Sequence, residues 1–264
     1  MPFAENQGTK IYWDELGQGE PVLLIMGLGW SSNMWYRTRP VLAARYRTIA
    51  FDNRGAGRSE VPPGPYSIAT MASDAAAVLY AAGIKSAHIL GASMGGMIAQ
   101  EFALQYPGRV RSLILGCTAP GGPHAVQAEP AAIQLLFRGD LSPKDRAEAA
   151  VPFIYDLGTP RERIDQDLET LSMFYPNSQG FAAQLQGILA WEAWTRLPQI
   201  GAPTLTIHGL NDRLVPAANA DVIASRIPGA QLVKIANASH IFMTDQPELA
   251  HRAILDFLAA RIGA

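Results

Sequence analysis

The chain has 264 residues, 48% of them hydrophobic and 17% charged, with a formal net charge of −2. That balance excludes an intrinsically disordered chain, and without a basic stripe there is no electrostatic footprint for nucleic acid. No apolar run approaches the roughly 18 residues of a membrane span, and Met1–Asn6 lacks the basic start and apolar run of a secretory signal, so the chain reads as soluble and cytoplasmic.

In chain order, Pro2–Ala4 and Lys10–Glu15 flank the turn-forming Asn6-Gln7-Gly8 and predict an antiparallel hairpin at a sheet edge. Val22–Met26 follows, then Arg47–Phe51, Ala87–Leu90, Val110–Gly116, Thr204–His208 and Gln231–Ile235. Several of these short runs are apolar on both faces, as parallel strands covered by helices must be. Between them, Ile68–Ala82 reads as a helix that stops before Gly83. Met97–Tyr106 carries Ile98, Phe102 and Tyr106 on one face and stops before Pro107. Near the C-terminus, Asp245 and Glu248 form a capping box for a last helix with Leu249, Ala253, Phe257 and Leu258 on its apolar face. Alternating strands and helices predict an α/β fold with a mostly parallel, doubly wound sheet.

One segment breaks the alternation. Residues 119–196 show helical patterns rich in large apolar side chains, among them Leu135, Phe153, Phe174, Trp191 and Trp194, and no convincing strand. Pro120 to Pro123 punctuate the entrance, Pro198 and Pro203 the exit. The segment reads as a helical cap inserted into a core made of residues 1–118 and 197–264.

The chemistry begins at Gly91-Ala92-Ser93-Met94-Gly95, a G-x-S-x-G string that is weak alone. Its context strengthens it: a strand ends just before it and a helix starts near Gly95-Gly96, as a nucleophile elbow requires. A serine hydroxyl needs a base. Of the five histidines, His88 and His208 lie in or at the end of strands, His124 at the entrance of the cap and His251 on the last helix. His240 stands in the polar loop after the last strand, at the carboxyl ends where open α/β sheets assemble their sites. Asp212 follows the preceding strand and completes the chain order Ser93, Asp212, His240 expected of this elbow; the rival loop, Cys117-Thr118-Ala119, offers no acid. The oxyanion donors should be the N–H groups of Met94, directly after the nucleophile, and of Leu28 in Gly27-Leu28-Gly29-Trp30. Gly27, Trp30, Ile241, Phe242 and Trp191 are the expected substrate contacts, mostly apolar and suited to a hydrophobic acyl or alcohol group.

Other features point elsewhere. Asp52 to Ser59 lacks the third glycine of G-x-G-x-x-G and reads as a structural turn, with Arg54 tied to local carboxylates. Cys117 is the single cysteine, so it forms no internal disulfide and reads as a buried spectator; no paired Cys/His spacing indicates a metal.

With these residues assembled, nearly the whole chain resembles the α/β-hydrolase superfamily, and within it the cofactor-free enol-lactonases, acyl-homoserine lactonases and methylesterases. The resemblance rests on Met26-Gly27-Leu28-Gly29, Asp52 to Ser59, Gly91 to Gly96, His208 to Asp212 and Ser239-His240. It implies a serine hydrolase that needs no cofactor and cleaves a small-molecule ester or lactone; association into a homo-oligomer is left open. Many such relatives carry His-Gly where Met26-Gly27 stands, and a histidine where Ala92 stands, so this wall of the pocket should be more apolar. Serine rather than aspartate at position 93 disfavours the relatives that open epoxides or remove halides. A carbon–carbon bond hydrolase or perhydrolase on the same triad is the alternative within enzymes, and a non-catalytic small-molecule receptor the alternative outside them.

Overall fold

A computed structural model describes residues 2–261. The hairpin closes as its turn residues require: Gln7 and Gly8 both take positive φ (51° and 73°), giving a turn whose twist matches paired strands. It joins β1 (Phe3–Asn6) to β2 (Thr9–Leu16). With β3 (Pro21–Ile25), β4 (Arg47–Phe51), β5 (Ala87–Ala92), β6 (Val110–Gly116), β7 (Thr204–Gly209) and β8 (Gln231–Ile235), these form one eight-stranded sheet in the order β1-β2-β4-β3-β5-β6-β7-β8. The β1–β2 and β2–β4 pairs are antiparallel and all other neighbours parallel. Helices α1 (Arg39–Ala43), α2 (Ile68–Ala81) and α3 (Met94–Gln105) come early. Four follow between β6 and β7: α4 (Pro130–Leu136), α5 (Pro143–Ile154), α6 (Arg161–Ser172) and α7 (Ser178–Ala190). The chain finishes with α8 (Ala218–Arg226), α9 (Phe242–Asp245) and α10 (Pro247–Ala259). No helix among the described residues is long and apolar enough to cross a membrane.

The all-apolar strands need two cores because successive side chains point to opposite faces. Leu23 and Ile25 of β3 join Ile89 and Leu115 in a cluster with Met71 and Val78 of α2 and Ile98 and Phe102 of α3. Val22 and Leu24 enter the other face with Ile114, Ile207, Leu42 of α1, and Ile254, Phe257 and Leu258 of α10. Burying each such side chain stabilises the fold by about 1.5–3 kcal/mol. The loops at the carboxyl ends of the strands therefore start from closely packed positions.

Two helix expectations need correction. The capping box at Asp245 does not form. The Asp245 carboxylate instead accepts bonds from Ser239 N–H (2.6 Å), Asp156 N–H (3.3 Å) and Thr159 Oγ1 (2.5 Å). Gln246 occupies the N-cap of α10 without a side-chain bond, and Pro247 opens the helix. The apolar face of α10 is also turned: Leu249 is 48% exposed, and Ala250, Ile254, Phe257 and Leu258 form the buried stripe at i, i+4, i+7 and i+8. Elsewhere the differences are of boundary. β5 runs on to Ala92 and α3 starts at Met94, leaving a single residue between them.

Candidate active site

That residue is Ser93. With φ 56° and ψ −124° it occupies backbone space that non-glycine residues rarely enter. Such strain costs about 1–3 kcal/mol and persists only where surroundings hold it. Here Ser93 N–H donates to Gly116 O (2.9 Å), while Thr118 Oγ1 and Gly96 N–H donate to Ser93 O (2.7 and 2.9 Å). The flanking glycines have a steric reason. A Cβ on Gly91 would lie 2.1 Å from Gly95 O, and one on Gly95 would lie 2.1 Å from Ile25 O at the end of β3. The elbow thus packs backbone against backbone, with the Ser93 side chain left partly accessible at the start of α3.

Asp212 and His240 come from loops leaving β7 and β8, which are stitched together at their ends. Leu210 N–H donates to Ile235 O (2.9 Å) and Asn211 N–H to Ala238 O (2.8 Å). Asp212 is buried and receives four bonds. Its Oδ1 accepts from Leu214 N–H (3.0 Å) and Val215 N–H (2.7 Å); its Oδ2 lies 2.7 Å from His240 Nδ1 and 3.0 Å from His208 Nε2. Burial alone would push this carboxyl's pKa up; attraction to the protonated form of His240 and the hydrogen bonds from His208 and His240 outweigh it and hold it below the usual carboxylate range. An ionised Asp212 places the proton on His240 Nδ1 and leaves Nε2 with a free lone pair. His208, at the end of β7, bonds locally: its Nε2 shares the Asp212 oxygen and lies 2.7 Å from Val215 O.

Ser93 and His240 line one cavity. Among the hydrogen bonds of the described residues none joins Ser93 Oγ to the imidazole, a contact that in ligand-free enzymes often tightens only with substrate. Beside them, Gly27 lies against the serine: a Cβ there would be 3.1 Å from Ser93 Cβ. Neither Leu28 N–H nor Met94 N–H has an acceptor among the described residues. Asn53 Nδ2 donates to Met26 O (2.8 Å) and fixes the start of the Leu28 loop.

A family model for the α/β-hydrolase fold matches residues 20–247. The chain belongs to this family. Among curated proteins it is similar to one named a carbamate hydrolase, RutD of Azorhizobium caulinodans, at 32% identity over 262 residues, covering 97% of this chain and 98% of that one. Among solved structures it is similar to the enol-lactonase of Burkholderia xenovorans, with TM-score 0.85 and 26% identity over 98% of this chain and all of the other. A thermophilic esterase from Thermogutta terrifontis aligns with TM-score 0.84 and 28% identity over 98% of each chain.

In this α/β hydrolase the cavity measures about 150 Å³. Gly27, Leu28, Trp30 and Ile241 line it, together with Ile154, Leu168, Phe181 and Leu214 from the inserted helices and the loop after β7. Two expected contacts lie elsewhere. Phe242 is buried in the sheet core, its ring edge 3.1 Å from where a Gly116 Cβ would sit. Trp191, just past α7, is also core, and its Nε1–H donates to Glu101 Oε2 (2.8 Å). Trp194 stacks on His124, with ring centroids 3.8 Å apart. Cys117 borders the cavity, but burial, then the Asp212 charge, push its thiol well up, so it stays protonated and unreactive.

The cavity also has a polar wall that the sequence did not reveal. Buried Asp167 of α6 accepts from Tyr36 OH, Arg37 Nε (3.2 Å), Tyr155 OH (3.0 Å) and Thr244 Oγ1 (2.7 Å). Burial and then Asp167 itself push both phenols above their usual pKa. The donors come from three separated stretches of chain, so no local spacing could announce them. The one sequence hint is an aspartate at i+3 from Ile164 on the buried face of an otherwise polar helix.

Proposed function

We propose that this hydrolase cleaves a carboxylic ester or lactone of a small, largely apolar substrate through an acyl-enzyme on Ser93. His240 Nε2 takes the Ser93 proton as Oγ attacks the carbonyl carbon, and the carbonyl oxygen becomes an oxyanion held by Leu28 and Met94 N–H. The intermediate collapses, the C–O bond breaks, and His240 returns the proton to the leaving alcohol. Water then repeats the sequence: His240 takes one proton, hydroxide oxygen bonds the acyl carbon, and Ser93 leaves with that proton as the acid departs. A lactone follows the same course, its alcohol staying tethered to the acid. Residues 119–196 act in this reading as a cap that excludes water from the reaction.

The observation that supports this most directly is a His240 held by buried Asp212 and sharing a cavity with a strained serine, beside two N–H groups that lack acceptors. The apolar walls favour an uncharged acyl or alcohol group. The esterase and enol-lactonase likeness is consistent with oxygen as the leaving atom. A carbamate is the second reading, favoured by the 32% identity to a protein named for that activity; it presents the same carbonyl to the same serine.

The test is turnover of p-nitrophenyl esters of graded acyl length, several lactones and a p-nitrophenyl carbamate by wild type and Ser93→Ala. Serine-dependent hydrolysis with esters or lactones ahead of the carbamate is expected. Equal turnover by pure Ser93→Ala would refute the nucleophile, and carbamate preference would refute the substrate class.

A further inference from the structure

The Leu28 N–H can stabilise an oxyanion only if its loop is held, and the loop's glycines give it no stiffness of their own. One anchor is Asn53 on Met26 O. The second comes from 155 residues further along the chain, in the inserted helices. Gln184 of α7 is fully buried, and both ends of its amide are used: Oε1 accepts from Gly29 N–H (2.7 Å) and Nε2 donates to Arg54 O (2.7 Å).

The sequence of α7 is built to bring that amide in. Gly180, Gln184 and Gly187 stand at i, i+4 and i+7, on one helix face. A Cβ on Gly180 would lie 2.0 Å from Gly55 O, and one on Gly187 would lie 2.0 Å from Tyr66 O. The helix backbone therefore rests directly on the loop after β4, and the one long polar side chain of this face passes between the two loops. Arg54, whose carbonyl it grips, is itself clamped by Asp74 through two 2.6 Å bonds. Gln184 thus hangs Gly29 from a fixed point. Leu28 N–H lies between anchored neighbours and has no acceptor of its own.

We infer that Gln184 is a positioning residue for the oxyanion donor: the inserted helices hold the catalytic loop in shape as well as covering it. The inference rests on the serine-hydrolase reading above. A side chain that merely filled space would be replaceable by one of equal volume. One that aims a donor must keep its acceptor oxygen.

The experiment uses Gln184→Met, Gln184→Glu and Ser93→Ala in the full chain, with p-nitrophenyl butyrate as substrate and a trifluoromethyl ketone as the probe of the oxyanion site. Gln184→Met should fold, lower kcat by about 10- to 100-fold as expected for a displaced donor, and weaken the ketone by a similar factor. KM and inhibition by butyrate should stay near wild type. Gln184→Glu keeps the acceptor for Gly29 and should hold most of the wild-type kcat even though its melting temperature falls with the lost Arg54 bond. If Gln184→Met does not fold, Gln184→Ala is held to the same criterion. A folded acceptor-less variant with unchanged kcat and ketone affinity overturns the inference, as does Gln184→Glu failing as badly as Gln184→Met. Unchanged turnover by Ser93→Ala would instead overturn the underlying reaction and leave the two failures distinct.

Discussion

Gly95→Ala should disable the enzyme without unfolding it. The new methyl would lie 2.1 Å from Ile25 O and 2.8 Å from Met26 O, both backbone atoms that no rotamer change can move aside. Restoring an ordinary contact requires the end of β3 and the start of α3 to part by about 1 Å, since packed interiors leave no slack to absorb the insertion. The two proposed oxyanion donors stand on opposite sides of that seam: Leu28 follows β3, and Met94 opens α3. A shift of this size takes one donor out of hydrogen-bond range, and losing one donor lowers kcat by about 10²–10³-fold. Overpacking should cost about 1–3 kcal/mol of stability. The assay is kcat and KM on p-nitrophenyl butyrate with a urea melt of the same preparation. Gly108→Ala serves as control, because a Cβ there meets nothing within 4 Å. If Gly95→Ala retains kcat within about threefold while Gly108→Ala does the same, the seam does not set the donor spacing.

Asp212→Asn presents an amide to His240 Nδ1, favours the tautomer with the proton on Nε2, and should cut kcat by up to about 10⁴-fold; a near-normal rate in folded protein would place the acid elsewhere. Asp245 is raised to about 6, by burial first and by the Asp156 charge, against the bonds from Thr159, Ser239 and Asp156 N–H. Its protonated form is the one the fold favours, so its stabilising share is complete below about pH 4 and lost as pH rises through about 6, a swing of about 3 kcal/mol. The stability difference between wild type and Asp245→Asn, from denaturant melts between pH 4 and 7, should shrink or reverse accordingly; a flat difference contradicts the raised pKa. Trp191→Phe should leave kcat and KM unchanged, since the indole is outside the cavity, and cost only about 1 kcal/mol, because Glu101 keeps its partners Arg196 and Gln105; a selective KM effect would return Trp191 to the pocket.

The elbow was legible because its constraints are local: two glycines, a serine, a strand before and a helix after lie within a dozen residues. Asp212 and His240 were legible through chain order and through the loops that leave strand ends. Asp245 was misread for an instructive reason. A capping box offers a carboxylate one backbone N–H, and the fold offered this one Ser239 N–H, Asp156 N–H and the Thr159 hydroxyl. Trp191 was misread because a large aromatic in the inserted segment can serve a core or a pocket equally well, and only the fold shows its indole in the core, donating to Glu101.

The sequence by itself determined the sheet, through apolar runs that only burial on both faces can satisfy, and the identity of the three candidate reacting groups. The tertiary structure decided what surrounds them. Asp167 collects donors from Tyr36, Arg37, Tyr155 and Thr244, and Gln184 reaches Gly29 across 155 residues. A glutamine inside a helix or an aspartate on a polar one looks solvated in a one-dimensional reading. Its partner is chosen by which backbones can approach, and here that is set by where Gly180 and Gly187 let two segments touch.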